Sequence, residues 1–313
     1  MIDKNLPATD ASRTLGQVWF GLFLPQVRMD FTTVLTRTRA AEAAGFDSVW
    51  LIDHLATPAN DELDLLEGWT LAAAIAARTE SIRIGHLVNC DPFRHPAVLA
   101  KMVATVDTIS NGRLDLGLGW GSVAAELHAF GITDAPNKVR AAALRETLEI
   151  LPLMASGEQF DYAGTQYQLH GARGRPRPVQ KPVPIHIGGG GAQLTMPLVR
   201  EFAQWWNCPS YAVAQLEELI PLVGDARISV QHPIGLAPTA AERDKVIARA
   251  ERRFGTWGGL ISGTTEEVAE ELSKDAARGV EGFVLQFDDF GTPETVAQFM
   301  AEVAPAVRAA ASV

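Results

Sequence analysis

Residues 184–191 read Pro184-Ile185-His186-Ile187-Gly188-Gly189-Gly190-Gly191, a short β-branched run ending in four glycines. A helical pattern begins just beyond, near Thr195, so the segment reads as strand, loop and helix. Glycine permits φ > 0 and lets a ligand come close to the main chain. The loop amides and the N-terminus of the following helix together offer a place for a phosphate-type anion. A plain tight turn between strand and helix is the alternative, although one or two glycines would serve for that.

The same unit recurs on either side. Upstream, strands are expected over 18–25, 48–52, 82–88 and 114–118, and helices over 31–44, 69–78, 96–110 and 138–156. Downstream come strands over 184–187, 205–208, 228–236 and 282–287. Helices are expected over 195–202, 212–222, 240–254, 265–278 and 293–311. Thr264 and Glu267 have the spacing of a capping box. Residues 157–182 break the alternation with a polar, Gly- and Pro-bearing stretch that suits a hairpin and loop. Eight strands leading to helices predict one (β/α)8 TIM barrel over 17–313, with an insertion after strand four and a flexible arm over 1–16. A doubly wound sheet is the other fold with this alternation, but Leu24-Pro25-Gln26-Val27 is no dinucleotide fingerprint after strand one.

A chain of 313 residues suits such a barrel, and 47% hydrophobic content supplies a large core. No apolar run reaches the roughly 18 residues of a membrane span, and the start lacks a signal-peptide pattern. Two cysteines, Cys90 and Cys208, indicate no disulfide framework and point to a reducing cytoplasm. The net charge of −10 argues against nucleic-acid partners. One local exception is the Pro-rich loop bearing Arg173, Arg175, Arg177 and Lys181. It reads either as a solvated loop or as a landing strip for the anionic tail of a cofactor.

In a barrel of this kind chemistry sits at the C-terminal strand ends. Strand two delivers Asp53-His54, strand three Asn89-Cys90, strand four Gly119-Trp120-Gly121-Ser122, and strand six Asn207-Cys208. His54 is the best proton donor or acceptor among them, because imidazole titrates near neutrality. Neighbours on a strand point to opposite faces, so Asp53 need not touch His54. Trp120, between glycines on a loop, is placed to cover a flat heterocycle or the barrel mouth. Of seven histidines, His86, His186 and His232 fall in or near strands, yet strand one offers no ligand and no His-x-His pair occurs. No metal site is therefore expected. The two thiols read as packing groups rather than nucleophiles.

These residues resemble the bacterial luciferase-like superfamily of flavin- and deazaflavin-dependent oxidoreductases. The resemblance rests on Gly21–Pro25, on Gly45-Phe46-Asp47-Ser48-Val49-Trp50-Leu51-Ile52-Asp53-His54, and on the run from Arg94 to Lys101. Ser110 to Gly119 and Ile185 to Gly191 match as well, in the family's order. It implies a barrel with reduced FMN or coenzyme F420 at its C-terminal mouth. The cofactor phosphate would lie on Gly188, Gly189, Gly190 and Gly191, with Thr195 as a candidate hydroxyl. The ring would lie near Val88, Asn89 and Cys90, where relatives often carry a non-proline cis peptide. Asp53, Trp120, Gly121 and Ser122 complete the implied cofactor site, and His54 matches a histidine that relatives use near the reacting carbon.

The resemblance implies hydride transfer between F420 and a small organic substrate. The alternative is a two-component monooxygenase in which a separate reductase supplies reduced FMN. A barrel that binds flavin without catalysis is a more distant reading. Deazaflavin sugar-phosphate dehydrogenases of the superfamily carry an acidic proton donor after the strand-four glycines. Ser122 holds that place here, with Glu126 one helical turn later, which argues against a sugar phosphate. Relatives are often dimers, so a homodimer is implied by analogy.

Overall fold

The computed structural model describes residues 17–57 and 62–311. The arm expected over 1–16 lies outside the described residues. Eight parallel strands form the centre: β1 (Trp19–Phe23), β2 (Ser48–Leu51), β3 (Arg83–His86), β4 (Leu114–Gly119), β5 (Ile185–Gly188), β6 (Trp205–Cys208), β7 (Arg227–Leu236) and β8 (Val280–Phe287). Each pairs with its neighbours in chain order, and β8 returns to β1 through Trp19↔Gly282 and Leu22↔Leu285. The ring is closed, so the fold is the (β/α)8 barrel. A doubly wound sheet would leave two open edges.

Period-two alternation sorts the strand residues into two layers. Phe20, Leu22, Val49, Leu51, Leu116 and Phe283 join the apolar layer shared with the surrounding helices. Trp19, Phe23, Trp50, Ile52, Trp205 and Val284 form a separate inner cluster. Inside, His186 stacks on Trp205 with ring centroids 5.6 Å apart and planes 5° apart. Rings of this size fit because their neighbours lack side chains. A Cβ on Gly85 would lie 2.5 Å from Trp50, and one on Gly282 would lie 2.0 Å from Trp19.

Helices α1 (Phe31–Ala44), α2 (Gly68–Ala76), α3 (Pro96–Ile109), α4 (Ala124–Ala129), α5 (Asn137–Ser156), α6 (Thr195–Phe202), α7 (Arg243–Phe254) and α8 (Thr265–Ala277) surround the barrel. Asp30 caps α1 by accepting from the Thr33 amide at 2.7 Å, and Gly45 ends it at φ 93°. The capping box at α8 is complete: the Thr264 amide donates to Glu267 at 2.8 Å, and the Glu267 amide donates to the Thr264 hydroxyl at 3.4 Å.

Two expected helices are broken, and in each case a proline lies at the break. Residues 212–222 form 3₁₀ turns around a single α turn, Leu216–Leu219, with Pro221 in the last of them. The closing helix divides into Pro293–Gln298, a wide π turn Phe299–Val303, and Ala304–Ala310. Pro305 has no amide hydrogen for the turn before it, so the ladder changes register there. Two short strands were not expected. Asn89–Cys90 pairs with the end of β4, and Ile261–Gly263 with the end of β7.

The insertion is an antiparallel hairpin, Gln159–Ala163 with Gln168–Arg173. It lies along α5, where Glu146 accepts from the amides of Thr165, Gln166 and Tyr167 at 2.8, 3.0 and 2.9 Å. The basic loop that follows is held at the N-terminal strand ends. Val179 and Gln180 amides donate to Asp107 at 2.7 and 3.0 Å. Gln180 also bonds Arg83 and Leu114, the first residues of β3 and β4. This end is opposite the glycine loop, so the reading of these cations as a landing strip for a cofactor tail is corrected. No helix among the described residues is long and apolar enough to cross a membrane.

Candidate active site

At the C-terminal end of the barrel lies a cavity of about 240 Å³ whose lining includes His54 and every residue that the resemblance places around the cofactor. Its floor is set by a valine. The Val88 side chain lies over Gly119 of β4 and Gly188 of β5, where added Cβ atoms would come within 2.7 and 2.8 Å of it. The peptide between Leu87 and Val88 is cis. Beside it the Asn89 amide donates to the Gly117 carbonyl at 2.7 Å, while its buried Oδ1 has no partner among the described residues. A buried amide oxygen without a donor is costly unless a ligand or water meets it.

The glycine loop closes one side. Gly189 adopts φ 130°, a conformation that other residues rarely take. A Cβ on Gly190 would lie 2.8 Å from the Ala212 side chain, so the loop can pass there only as glycine. The Gly191 carbonyl accepts from the Thr195 and Met196 amides at 2.9 and 3.1 Å, starting α6. The buried Thr195 hydroxyl accepts from Trp120 Nε1 at 3.2 Å. That bond ties the ring after β4 to the N-terminus of α6. Arg140 lies over the Trp120 ring, 5.5 Å from its centroid.

Opposite the loop, Asp53 and His54, which follow β2 and Ile52, turn to different partners. Asp53 binds Arg94 through both oxygens, at 2.6 and 2.7 Å, and accepts from the Cys90 amide at 2.9 Å. Its carboxylate lines the wall, but it is occupied in fixing the Asn89–Cys90 segment. His54 Nδ1 lies 2.8 Å from Glu126 Oε2, and Glu126 Oε1 accepts from the Leu55 and Ala56 amides at 2.7 and 3.2 Å. Burial pushes the Glu126 carboxyl up, but the His54 hydrogen bond, the histidine charge and the two amides outweigh it. Its pKa falls below the ordinary 4.5. Glu126 is thus ionised at neutrality, and its stabilising contribution is lost only as pH falls through that lowered value. An ionised acceptor requires the hydrogen on His54 Nδ1, which leaves Nε2 free to exchange a proton. Glu126 lies four positions beyond Ser122, and α4 carries the glutamate back to the histidine.

The thiols are poor nucleophiles. Burial, then the Asp53, Glu126 and Asp91 carboxylates, push the Cys90 thiol far up, and burial pushes Cys208 to about 12. The strand histidines point elsewhere: His86 packs on Trp69, His186 lies inside the barrel, and His232 binds Asp275 at 2.9 Å. Among the described residues no three His, Cys, Asp or Glu side chains come together as a metal site. Tyr211, Gln231 and Asn207 also line the cavity. Asn207 was placed only as a strand end, and the other two were missed. Tyr211 had a signal: an aromatic three residues beyond the end of strand six, 66% exposed in the folded chain.

Residues 11–308 match the luciferase-like monooxygenase family, and the chain belongs to it. An F420-dependent glucose-6-phosphate dehydrogenase of Microbacterium testaceum (strain StLB037) is 33% identical over 227 residues, 72% of this chain and 62% of that one. The chain spans less than two thirds of the length of such curated relatives. Among solved structures, an F420-dependent secondary alcohol dehydrogenase in complex with an F420–acetone adduct superposes with a TM-score of 0.79. It is 20% identical, with 93% of this chain and 99% of that chain covered. The oxygenating constituent of 3,6-diketocamphane monooxygenase from Pseudomonas putida, in complex with FMN, gives 0.74 at 19% identity, covering 92% and 98%.

Proposed function

We propose that the chain is an F420-dependent oxidoreductase that moves a hydride to or from a small, uncharged organic alcohol or carbonyl compound. The observation that carries this reading is the pairing of a four-glycine loop leading into α6 with an oriented histidine across one cavity. The named activity of the dehydrogenase relatives supports the cofactor assignment. The residues fit such a group. Gly188–Gly191 and Thr195 would hold its phosphate, Val88 would back its ring, and the unpartnered Asn89 Oδ1 would accept from a ring N–H. When bound, the deazaflavin supplies the site that gives or takes the hydride.

The chain's own residues do the rest. His54 Nε2 takes the proton from an alcohol, or returns it to a carbonyl oxygen. Glu126 fixes the ring tautomer and orientation and stabilises the imidazolium. Val88 and Trp120 shape a partly enclosed pocket that orients the substrate. No lysine or arginine lines the cavity among the described residues, while two carboxylates do. That lining favours an uncharged substrate over the sugar phosphate for which the dehydrogenase relatives are named. The monooxygenase neighbour with FMN favours the second reading, in which a separate reductase would deliver reduced flavin.

Fluorescence titration with F420 and with FMN, each oxidised and reduced, separates the two. Micromolar binding of F420 alone is expected, and preference for reduced FMN would transfer the assignment to the monooxygenase. Thr195→Val is expected to weaken F420 about tenfold by removing one hydroxyl from the phosphate site. An unchanged Kd in the same titration would move the phosphate off this loop. Glu126→Gln is expected to lower kcat about tenfold to a hundredfold with cofactor Kd unchanged, because it removes the acceptor charge but not the volume. A rise in KM alone, with kcat intact, would reduce Glu126 to a wall residue.

A further inference from the structure

The basic loop has no part in the cavity at the barrel mouth, yet it roofs a second and larger one. Outside the barrel, α3, α5, the start of α6's return to the sheet and the loop enclose a groove of about 560 Å³. Small residues make the space: α3 presents Ala100 and Ala104 one turn apart, and Gly174 crosses α5 where a Cβ would lie 2.0 Å from the Met154 carbonyl. Leu148, Leu151 and Met154 of α5 wall it, and Leu116 on the outer face of β4 forms its floor. Pro152 lies inside α5 and prevents the normal bond to the Leu148 carbonyl, so this helix wall is locally loosened.

The rim has the opposite character. Lys101, Arg177 and Lys181 line it and are exposed, in a chain whose net charge is −10. Lys181 has no hydrogen bond or ion pair among the described residues. Among the described residues Lys101 donates only to the Arg175 carbonyl, and Arg177 has one exposed ion pair, with Glu158 at 2.6 Å. Glu201, the one carboxylate among the described lining residues, is held by Arg145 at 2.7 Å. Its charge is therefore offset from within the fold.

We infer that this groove is a binding site for a medium-chain carboxylate, with the alkyl chain between α3 and α5 and the head group on Lys181 and Arg177. Apolar walls alone would accept any hydrocarbon, and the rim cations, Lys181 without a partner among the described residues and Arg177 in a single exposed pair with Glu158, select the anion. The volume lies within the range of about 300–1,000 Å³ typical of small-molecule sites.

Isothermal titration calorimetry of the full chain with dodecanoate tests this directly. Dodecanoate is expected to bind one per chain, with decanoate about tenfold weaker for the loss of two methylenes. Dodecyltrimethylammonium, with the same tail and the opposite charge, is expected to bind at least about tenfold more weakly. Lys181→Glu, at an exposed position, is expected to cost about tenfold in dodecanoate affinity, and Ala104→Trp to abolish binding by filling the groove. Equal binding of anion and cation, or no effect of Lys181→Glu, would overturn the assignment. So would the absence of any heat up to the solubility of dodecanoate.

Discussion

His54→Ala lowers kcat by about 10²- to 10⁴-fold while F420 affinity stays within about threefold of the wild type, the range expected for loss of a general acid–base group. The expectation rests on the arrangement at the histidine. One nitrogen is committed to an ionised Glu126, and the other has no partner among the described residues. The side chain is 30% exposed, so it meets the cavity without being closed off from substrate. Its neighbours Asp53 and Cys90 in the described lining are committed elsewhere. Asp53 is clamped by Arg94 and the Cys90 amide, and the Cys90 thiol is pushed too high to exchange a proton near neutrality. Steady-state kinetics with the chosen alcohol, together with fluorescence titration of F420, measure both quantities. Turnover unchanged in the variant removes the proton-transfer role. Loss of cofactor binding with kcat preserved at saturation makes His54 part of the cofactor wall instead. Added imidazole is expected to restore part of the lost rate, since the vacated space opens onto the cavity.

The barrel was legible because its information is local and periodic. Each strand reads as a short apolar run, and each helix as a stripe with a start signal such as Pro96 or Thr264. Residues 31–44 and 195–202 were placed to the residue for that reason. The failures came where a proline interrupts a pattern that hydrophobicity still supports, at Pro221 and Pro305. Apolar spacing reports which face is buried and is blind to whether the turns beneath it are α, 3₁₀ or π.

The candidate cavity was legible for a different reason. In a barrel the strand ends must converge, so naming the residues just past each strand names a ring of neighbours without any knowledge of contacts. Asp53, Asn89, Trp120 and Gly188 come together on that logic alone. Pairwise partners were not legible. Nothing local tells that Asp53 turns to Arg94, or that Glu126 reaches back to His54 across 72 positions. The basic loop failed on the same ground. Its charge was plain in the sequence, but which end of the barrel it occupies is decided by bonds that Asp107 accepts from the loop amides and that Arg83 donates to Gln180.

The largest stability effect is expected at a residue beside the site rather than in it. Asp91 follows Cys90, is 2% exposed, and neither carboxylate oxygen has a hydrogen-bond partner among the described residues. Burial raises its pKa from 3.8 to about 7, and the nearby Thr147 hydroxyl only partly offsets this. Below the unfolded value the group is neutral in both states and costs nothing. Between about 4 and 7 the unfolded chain releases the proton and the folded chain keeps it, so stability falls as pH rises. Above about 7 both states are ionised and the penalty is constant, on the order of 4 kcal/mol for a difference of this size. Asparagine has nearly the same shape and never ionises. Asp91→Asn is therefore expected to be close to neutral at pH 4, and to stabilise by roughly 3–4 kcal/mol at pH 8. Urea unfolding of the two proteins at both pH values measures it. The same stability difference at both would mean that Asp91 ionises as an exposed carboxylate does. Because Asp91 adjoins the Asn89–Cys90 segment, removing its buried charge also firms the wall against which the cofactor ring is proposed to lie. F420 affinity in Asp91→Asn should then hold above pH 7, where that of the wild type declines.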